Sequence, residues 1–369
     1  MRTGEVIALS PFFPELPIAI VTAVSEEYLT YFVVTLASII KHSTAETFYD
    51  VVVLGSHISH QSEERVKALV AKHQNFHVRF LEVSDILKQY SFPVEEVYKP
   101  IIYARLLVPE LLRNYNRAIY IDSDMIFMED ISTLYQEPFD DKLLLAVRDT
   151  GMLAWYYAPN SKEKEYIDKK LRLKCPDLYI NSGLIVFNIL EFCKKYSAAF
   201  LLRYAASQRW RWRDQDVLMT LCDTRIGLLS QEWNVLLPYF RDDLQLLRQA
   251  GQFDLAQEYQ TAVKYPKVLH FIGTGFLSLE TPPVHAERFW EIARKTEGYE
   301  IILYRALAFT TRKSPEFIRE FSKINFNIYR NCLEVILSMF ENGEFGFRVI
   351  LKFIKKWILF KYRKLKIFL

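Results

Sequence analysis

Four short runs rich in β-branched and aliphatic residues divide the first third of the chain. They are PIAIVTAV (Pro17–Val24), YDVVVLG (Tyr49–Gly55), HVRFLEV (His77–Val83) and RAIYIDSD (Arg117–Asp124). Segments of helical period separate them. In EEYLTYFVVTLASIIKHS, residues Leu29, Phe32, Val33, Leu36, Ile39 and Ile40 recur at helical spacing. SEERVKALVAKH opens another helix, with Ser62 as its expected cap and Glu63 and Glu64 in the first turn. Strand–helix–strand order requires crossover connections, and crossovers give a mostly parallel sheet that is apolar on both faces. The fold class is therefore α/β. Later strands look mixed in direction: LLLAVRD (Leu143–Asp149), YINSGLIVFN (Tyr179–Asn188), IGLLS (Ile226–Ser230) and KVLHFIG (Lys267–Gly273). The polar, lysine-rich stretch Gly151–Lys174 reads as a loop and helix over the strand ends. From Glu287 the pattern is helical to the end, which divides the chain into a catalytic-type domain at 1–286 and a helical region at 287–369.

A chain of 369 residues with net charge +3 argues against a dedicated nucleic-acid binder. Aromatic residues make up 15% of it, and most should be core rather than ligand-stacking. Cys175, Cys193, Cys222 and Cys332 form no C-x-x-C pair, so neither a zinc site nor a redox motif is expected, and their spacing suits a reducing cytosol. Pro11, Pro14 and Pro17 break the N-terminal apolar stretch, which reads as a strand and not a signal peptide. No apolar run approaches the roughly 20 residues of a membrane span.

The most informative local feature is RAIYIDSDMIFMEDI, an apolar strand ending in two aspartates. In open parallel sheets, ligands bind beyond the carboxyl ends of the strands, where Asp122 and Asp124 lie. Residues two apart in extended chain point to one side. Two hard oxygen donors on one side suit Mg²⁺ or Mn²⁺, which leaves coordination positions for a diphosphate. The bland alternative is that either aspartate caps a turn.

Five blocks in order over Ile18–Phe276 resemble glycosyltransferase family 8, the group of bacterial lipopolysaccharide galactosyl- and glucosyltransferases and glycogenin. They are YARLLVPELLRNYNRAIYIDSDMIFMEDISTLY, YINSGLIVFNI, WRDQDVLM, QEWNVL and KVLHFIGTGF. The resemblance implies a GT-A fold: a mixed, mostly parallel central sheet flanked by helices, here with a helical C-terminal extension. It implies retaining transfer of a hexose from a UDP-sugar with Mn²⁺ or Mg²⁺. Asp122, Asp124 and His270 would be the metal ligands, the imidazole favouring Mn²⁺; otherwise His270 is a hydrogen-bonded core histidine. Arg105 would contact donor sugar or phosphate, or else lie on a helix surface. Asn181, Asp214 and Gln215 would line the sugar pocket, with Asp214 equally suited to capping the next helix. Asp149 would accept from sugar hydroxyls or simply end its strand in a turn. Gln215, Asp214 and Asp149 are thus the candidate catalytic residues. Ser123 between the aspartates and Gly273 of the H-x-x-G block join the donor-binding set.

Two departures from the family pattern stand out. The block that usually runs H-x-x-G-x-x-K-P-W has Phe276 at the lysine, so the cation facing the diphosphate is missing; Lys264, Lys267 and Arg288 are candidate replacements. The family's N-terminal aspartate, which pairs with uracil, is replaced by Ser25, Glu26 and Glu27, with Tyr28 beside them. For retention, front-face attack by the acceptor is preferred, because the Gln215 amide is a poor nucleophile.

The segment from Gly346 to Leu369 has eight basic residues and no acidic one. On a helical projection Arg348, Lys352, Lys355, Lys356, Arg363 and Lys366 share a sector, and Ile350, Ile354, Trp357, Leu365 and Phe368 lie opposite. Such a helix docks on anionic lipid. The expectation is a peripheral enzyme at the inner face of the plasma membrane, acting on a glycan or glycolipid acceptor such as lipopolysaccharide core. A protein- or self-glycosylating transferase and a non-catalytic nucleotide-sugar or glycan-binding protein are the rivals.

Overall fold

A computed structural model describes residues 6–313, apart from 16, 94–98, 239–241, 274 and 280. The chain divides into two compact units after Leu307, and the site lies wholly in the first. Beyond residue 286, helices at Ala286–Ala293 and Tyr299–Lys313 are described. The amphipathic helix expected at 346–369 lies outside the described residues.

Ten strands are described: β1 (Ile18–Ser25), β2 (Tyr49–Ser56), β3 (Phe76–Glu82), β4 (Arg117–Ile121), β5 (Met125–Phe127), β6 (Leu144–Arg148), β7 (Ile180–Asn188), β8 (Ile226–Leu228), β9 (Val235–Leu236) and β10 (Val268–His270). Seven make the central sheet, in the order β3-β2-β1-β4-β7-β6-β8. The N-terminal half is parallel: β1 runs with β2 from Ile18↔Tyr49 to Ser25↔Ser56, and with β4 at Ile20↔Ile119. β7 is antiparallel to both β4 and β6, and β8 is parallel to β6. The expected mixture is therefore found, and it arises where β7 enters against the parallel run.

The sheet is covered on both faces, as the unbroken apolar runs require. The helix Glu26–His42 buries Leu29, Phe32, Val33, Leu36 and Ile39 against it. The next helix, His60–Val70, is capped by Ser59, which accepts from the Ser62 amide. The expected cap, Ser62, instead lies one turn in and donates to Glu26 at 2.6 Å. Within the sheet Asp50 is fully buried. It is compensated by the Arg79 guanidinium, the Tyr115 hydroxyl and His77, as burial of a charge demands.

A second, three-stranded sheet, β5-β10-β9, decides the site. The chain leaves the large sheet at Ile121 and enters the small one at Met125, so Asp122, Ser123 and Asp124 are the passage between sheets. β10 lies antiparallel to β5 with His270↔Met125 in register. The outer edge of β5 is satisfied by side chains of the Glu26–His42 helix: the Met125 and Phe127 amides donate to Thr35 Oγ1 (3.2 Å) and Ser38 Oγ (2.9 Å).

Candidate active site

Backbone pairing brings the metal candidates together. The Asp122 amide donates to the Gly183 carbonyl of β7 at 2.8 Å, and the Phe271 amide donates to the Asp124 carbonyl at 3.0 Å. His270 Nε2 then stands 3.3 Å from Asp124 Oδ1 and 3.8 Å from Asp122 Oδ2. One ligand atom from each of the three residues can be chosen so that all lie within 4.8 Å of one another.

The imidazole is oriented from behind. His270 Nδ1 lies 3.0 Å from Asn234 Oδ1, and Asn234 Nδ2 donates to Asn181 Oδ1 at 3.0 Å. Asn234 Nδ2 donates to Asn181, so the Asn234 carbonyl accepts from Nδ1–H, and any proton that Nε2 shares with the carboxylates is the one a metal would displace. Two carboxylates and a neutral imidazole nitrogen form a donor set that fits Mn²⁺ well. Burial opposes protonation of this imidazole. The hydrogen bond with Asp124 and the charges of Asp124 and Asp122 outweigh it, so its pKa stands above the usual histidine value.

Gly183 makes this approach possible. A Cβ there would fall 2.9 Å from Asp122 Oδ2 and from Asn181 Oδ1, and closer still to His270 Cε1. Any side chain would occupy the space in which the three groups converge.

Arg105 is not a surface residue but 6% exposed, in a 3₁₀ segment, Pro100–Leu107. Its guanidinium lies over the Tyr120 ring at 4.3 Å, donates to the Ser182 carbonyl and, through Nη2, to Asp122 Oδ1 at 3.0 Å. Its Nε faces Asp214 Oδ2 at 3.0 Å as an ion pair. Burial alone would lower the pKa of Arg105, but the charges of Asp122 and Asp214 raise it, so the guanidinium stays charged. Burial raises the pKa of Asp214 against the opposing pull of Arg105. Asp214 therefore pairs with Arg105 in the first turn of the helix Arg213–Cys222 and is not its N-cap, a position Trp212 takes.

Asp149 ends its strand as a helix cap, and its other oxygen is taken by neighbouring side chains. Its Oδ1 caps the helix Thr150–Tyr157 by accepting from Met152 N at 2.9 Å. Its Oδ2 accepts from Asn181 Nδ2 (3.2 Å) and Gln215 Nε2 (3.3 Å). Gln215 Oε1 in turn accepts from the Ser182 amide at 3.0 Å. A continuous chain of side chains thus runs from His270 through Asn234, Asn181 and Asp149 to Gln215.

All of these residues but Asn234 line one cleft of about 380 Å³, within the usual range of ligand pockets. Tyr28, Arg105, Asp122, Asp124, Asp149, Asn181, Asp214, Gln215, His270 and Gly273 all reach it. Ser25, Glu27 and Ser123 do not line it. Ser25 ends β1 buried, Glu27 pairs with Lys99 at the surface (3.2 Å), and the Ser123 carbonyl accepts from Thr35. Sequence reasoning gave no role to Gly183, Asn234, Trp155 or Trp212, although the N-S-G and W-N blocks carry the first two. Trp155 comes from the expected covering segment and stacks on Trp212 with centroids 5.7 Å apart.

Phe276 is 2% exposed. It packs between Tyr31, Phe271 and Phe289, with centroids 5.3, 5.6 and 4.6 Å away. None of Lys264, Lys267 and Arg288 lines the cleft; Lys267, for instance, pairs with Glu232 at 3.1 Å. Among the described residues the cations in its wall are Arg105 and Arg213.

The family described as Glycosyl transferase family 8 matches residues 19–275. Glycosyltransferase 8 domain-containing protein 1 of Danio rerio is 24% identical over 74% of this chain and 74% of its own length. Among solved structures, the apo form of WbbM, a bifunctional glycosyltransferase, superposes with a TM-score of 0.73 at 26% identity, covering 82% of this chain and 54% of that one. This chain therefore spans about half the length of WbbM. The galactosyltransferase LgtC, solved with donor and acceptor sugar analogs, gives a TM-score of 0.62 at 19% identity, covering 76% of this chain and 96% of its own. The shared architecture is the GT-A fold.

Proposed function

The chain belongs to glycosyltransferase family 8, and from that premise we propose that it transfers a hexose from a UDP-sugar to a glycan acceptor with retention of configuration. The observation that carries this reading is the convergence of Asp122, Asp124 and a His270 ring oriented by Asn234 in one cleft. The two carboxylates and Nε2 would hold Mn²⁺ or Mg²⁺, which when bound supplies a Lewis acid for the departing diphosphate.

The chain's own residues supply the rest. Arg105 holds Asp122 from one side while Gly183 admits it from the other, so little reorganisation is needed when charge develops on the leaving group. Asp149 already accepts three N–H groups, and Asp214 is paired with Arg105. Neither carboxylate is free to attack an anomeric carbon, so we assign both to positioning. Gln215 is held at both ends and is best used to orient the donor sugar. Front-face attack, with the leaving phosphate taking the acceptor proton, is the route these constraints favour. The Trp155–Trp212 stack gives the acceptor sugar an apolar floor.

A panel of UDP-sugars scored for Mn²⁺-dependent hydrolysis tests the reading. One sugar should be turned over, and Asp122→Asn with Asp124→Asn should abolish the turnover. Calorimetry showing no UDP binding with Mn²⁺ present would refute it. Binding without turnover would instead establish the non-catalytic alternative, which the burial of Phe276 at the diphosphate-lysine position favours. We further propose a lipid-linked acceptor at the inner face of the plasma membrane, supported by the run of basic residues in 346–369. Flotation with anionic liposomes should be lost when residues after Phe345 are removed; retained flotation would remove the proposal.

A further inference from the structure

A second cleft, of about 320 Å³, lies beside the first and shares Arg213 with it. Pro93, Tyr166, Lys170, Arg209, Trp210 and Arg211 form the rest of its wall, and among the described residues no carboxylate lines it. The sequence behind it is RWRWR, Arg209 to Arg213. Arg209, Trp210, Arg211 and Arg213 face this cleft, while Trp212 faces the transfer cleft and Arg213 opens onto both.

This wall is held from within. Buried Asp216 accepts from Tyr179 Oη (2.5 Å), Tyr166 Oη (2.7 Å) and the Trp212 amide (2.8 Å). Tyr166 Oη also accepts from the Arg211 amide at 3.0 Å, and Trp210 is anchored by its indole N–H to the Ala205 carbonyl. The Arg211 guanidinium stands 4.5 Å from the Tyr166 ring centroid and the Lys170 ammonium 5.8 Å from it. Among the described residues, Arg211 Nη1 pairs with Glu163 at 3.2 Å, and Lys170 donates to the Arg209 carbonyl at 3.3 Å. Arg213 is held at φ 53, a left-handed conformation that costs a non-glycine residue energy and tends to persist at functional sites.

We propose that this cleft is an acceptor subsite that binds an anionic substituent, a phosphate or carboxylate, carried by the acceptor glycan. The inference rests on the transferase reading for the word acceptor, but not for the binding of the anion. A glycan whose one sugar packs on Trp155 and Trp212 would pass Arg213 and bring its next group among Lys170, Arg209 and Arg211. Arginine clusters recognise planar and tetrahedral oxyanions through paired N–H donors, and exposed cations make such binding salt-sensitive.

The test uses full-length protein freed of metal, with glucose, inorganic phosphate and glucose 6-phosphate as probes in calorimetric or ³¹P-detected titrations. Glucose 6-phosphate should bind at least tenfold tighter than either other probe. The preference should vanish in the Lys170→Gln/Arg211→Gln variant, whose thermal unfolding should match wild type because both residues are exposed. It should survive in Asp122→Asn. No preference in wild type, its persistence in the double variant, or its loss in Asp122→Asn would each overturn the proposal. A lowered unfolding midpoint in the double variant sends the same comparison to Lys170→Gln alone, where at least a threefold loss is expected and an unchanged preference refutes. The titrations contain neither metal nor donor, so a failure of UDP-sugar hydrolysis would sink the transferase reading without touching this result.

Discussion

Gly183→Ala should uncouple metal binding from folding. The added methyl carbon would lie 2.9 Å from Asp122 Oδ2 and Asn181 Oδ1 and closer to His270 Cε1. Asp122 cannot retreat freely, because Arg105 and Tyr120 hold its Oδ1 at 3.0 and 3.1 Å. Nor can the Asn181 oxygen, which accepts from Asn234 and from the Gly183 amide. The imidazole must therefore give way by roughly 1 Å to regain ordinary van der Waals contact. Its 3.3 Å approach to Asp124 opens, or its bond to Asn234 breaks. Loss of ligand alignment of this kind lowers metal affinity about 10–100-fold, and misplacement of about 1 Å lowers turnover about 10²-fold. Overpacking costs roughly 1–3 kcal/mol, which leaves the fold intact in a domain of this size. Manganese titration by electron paramagnetic resonance, donor hydrolysis and urea unfolding measure the three effects separately. Affinity and turnover within twofold of wild type, in a folded variant, would show that the three groups do not act together through the space Gly183 leaves.

Other perturbations separate supporting groups from the centre. Asn234→Ala should weaken Mn²⁺ binding about 10–100-fold by releasing the His270 ring, visible in the same titration. Arg105→Met should cost about 3–5 kcal/mol in denaturant unfolding, because it strands Asp214 and Asp122; adding Asp214→Asn should recover part of it. Phe276→Lys should destabilise the protein by a few kcal/mol rather than restore a diphosphate contact, since the position is enclosed by aromatic rings; a thermal midpoint equal to wild type would contradict this. Burial pushes the Cys222 thiol and the Tyr49 phenol each up to about 12. Folded values above unfolded ones mean that stability is complete below the unfolded pKa and is lost as pH rises through the folded one. Each group should cost roughly 1.4 kcal/mol per pH unit in its window. Unfolding free energy should thus fall from about pH 9 upward, where the thiol titrates first, and Cys222→Ala should flatten that initial slope.

Much of this site was legible in sequence because its parts follow local rules. An apolar strand ending in D-S-D announces a carboxylate pair at the carboxyl end of a sheet strand. Asp149, and Gln215 expected through the family resemblance, line the cleft, as does Trp155 from the expected covering segment. Their roles were less legible. Asp149 and Asp214 read as candidate catalysts, yet each is occupied by partners distant in sequence. Arg105 read as a donor contact, yet its guanidinium is held between Asp122 and Asp214. The helix cap shifted by a turn from Ser62 to Ser59, which accepts from the Ser62 amide while the Ser62 hydroxyl donates to the distant Glu26.

The succession of strands along the chain and the carboxylate pair follow from periodicity and residue chemistry, which are properties of short segments, while the distant imidazole is expected only through the family resemblance. Three things depend on tertiary packing. The switch of chain between two sheets at residues 122–124 sets His270 beside Asp124 through the β10–β5 register. The empty space over Gly183 admits the converging groups. The aromatic enclosure of Phe276 denies that position to a cation. Each is a matter of which distant atoms share a volume, and pairwise approach across more than a hundred residues has no counterpart in local pattern.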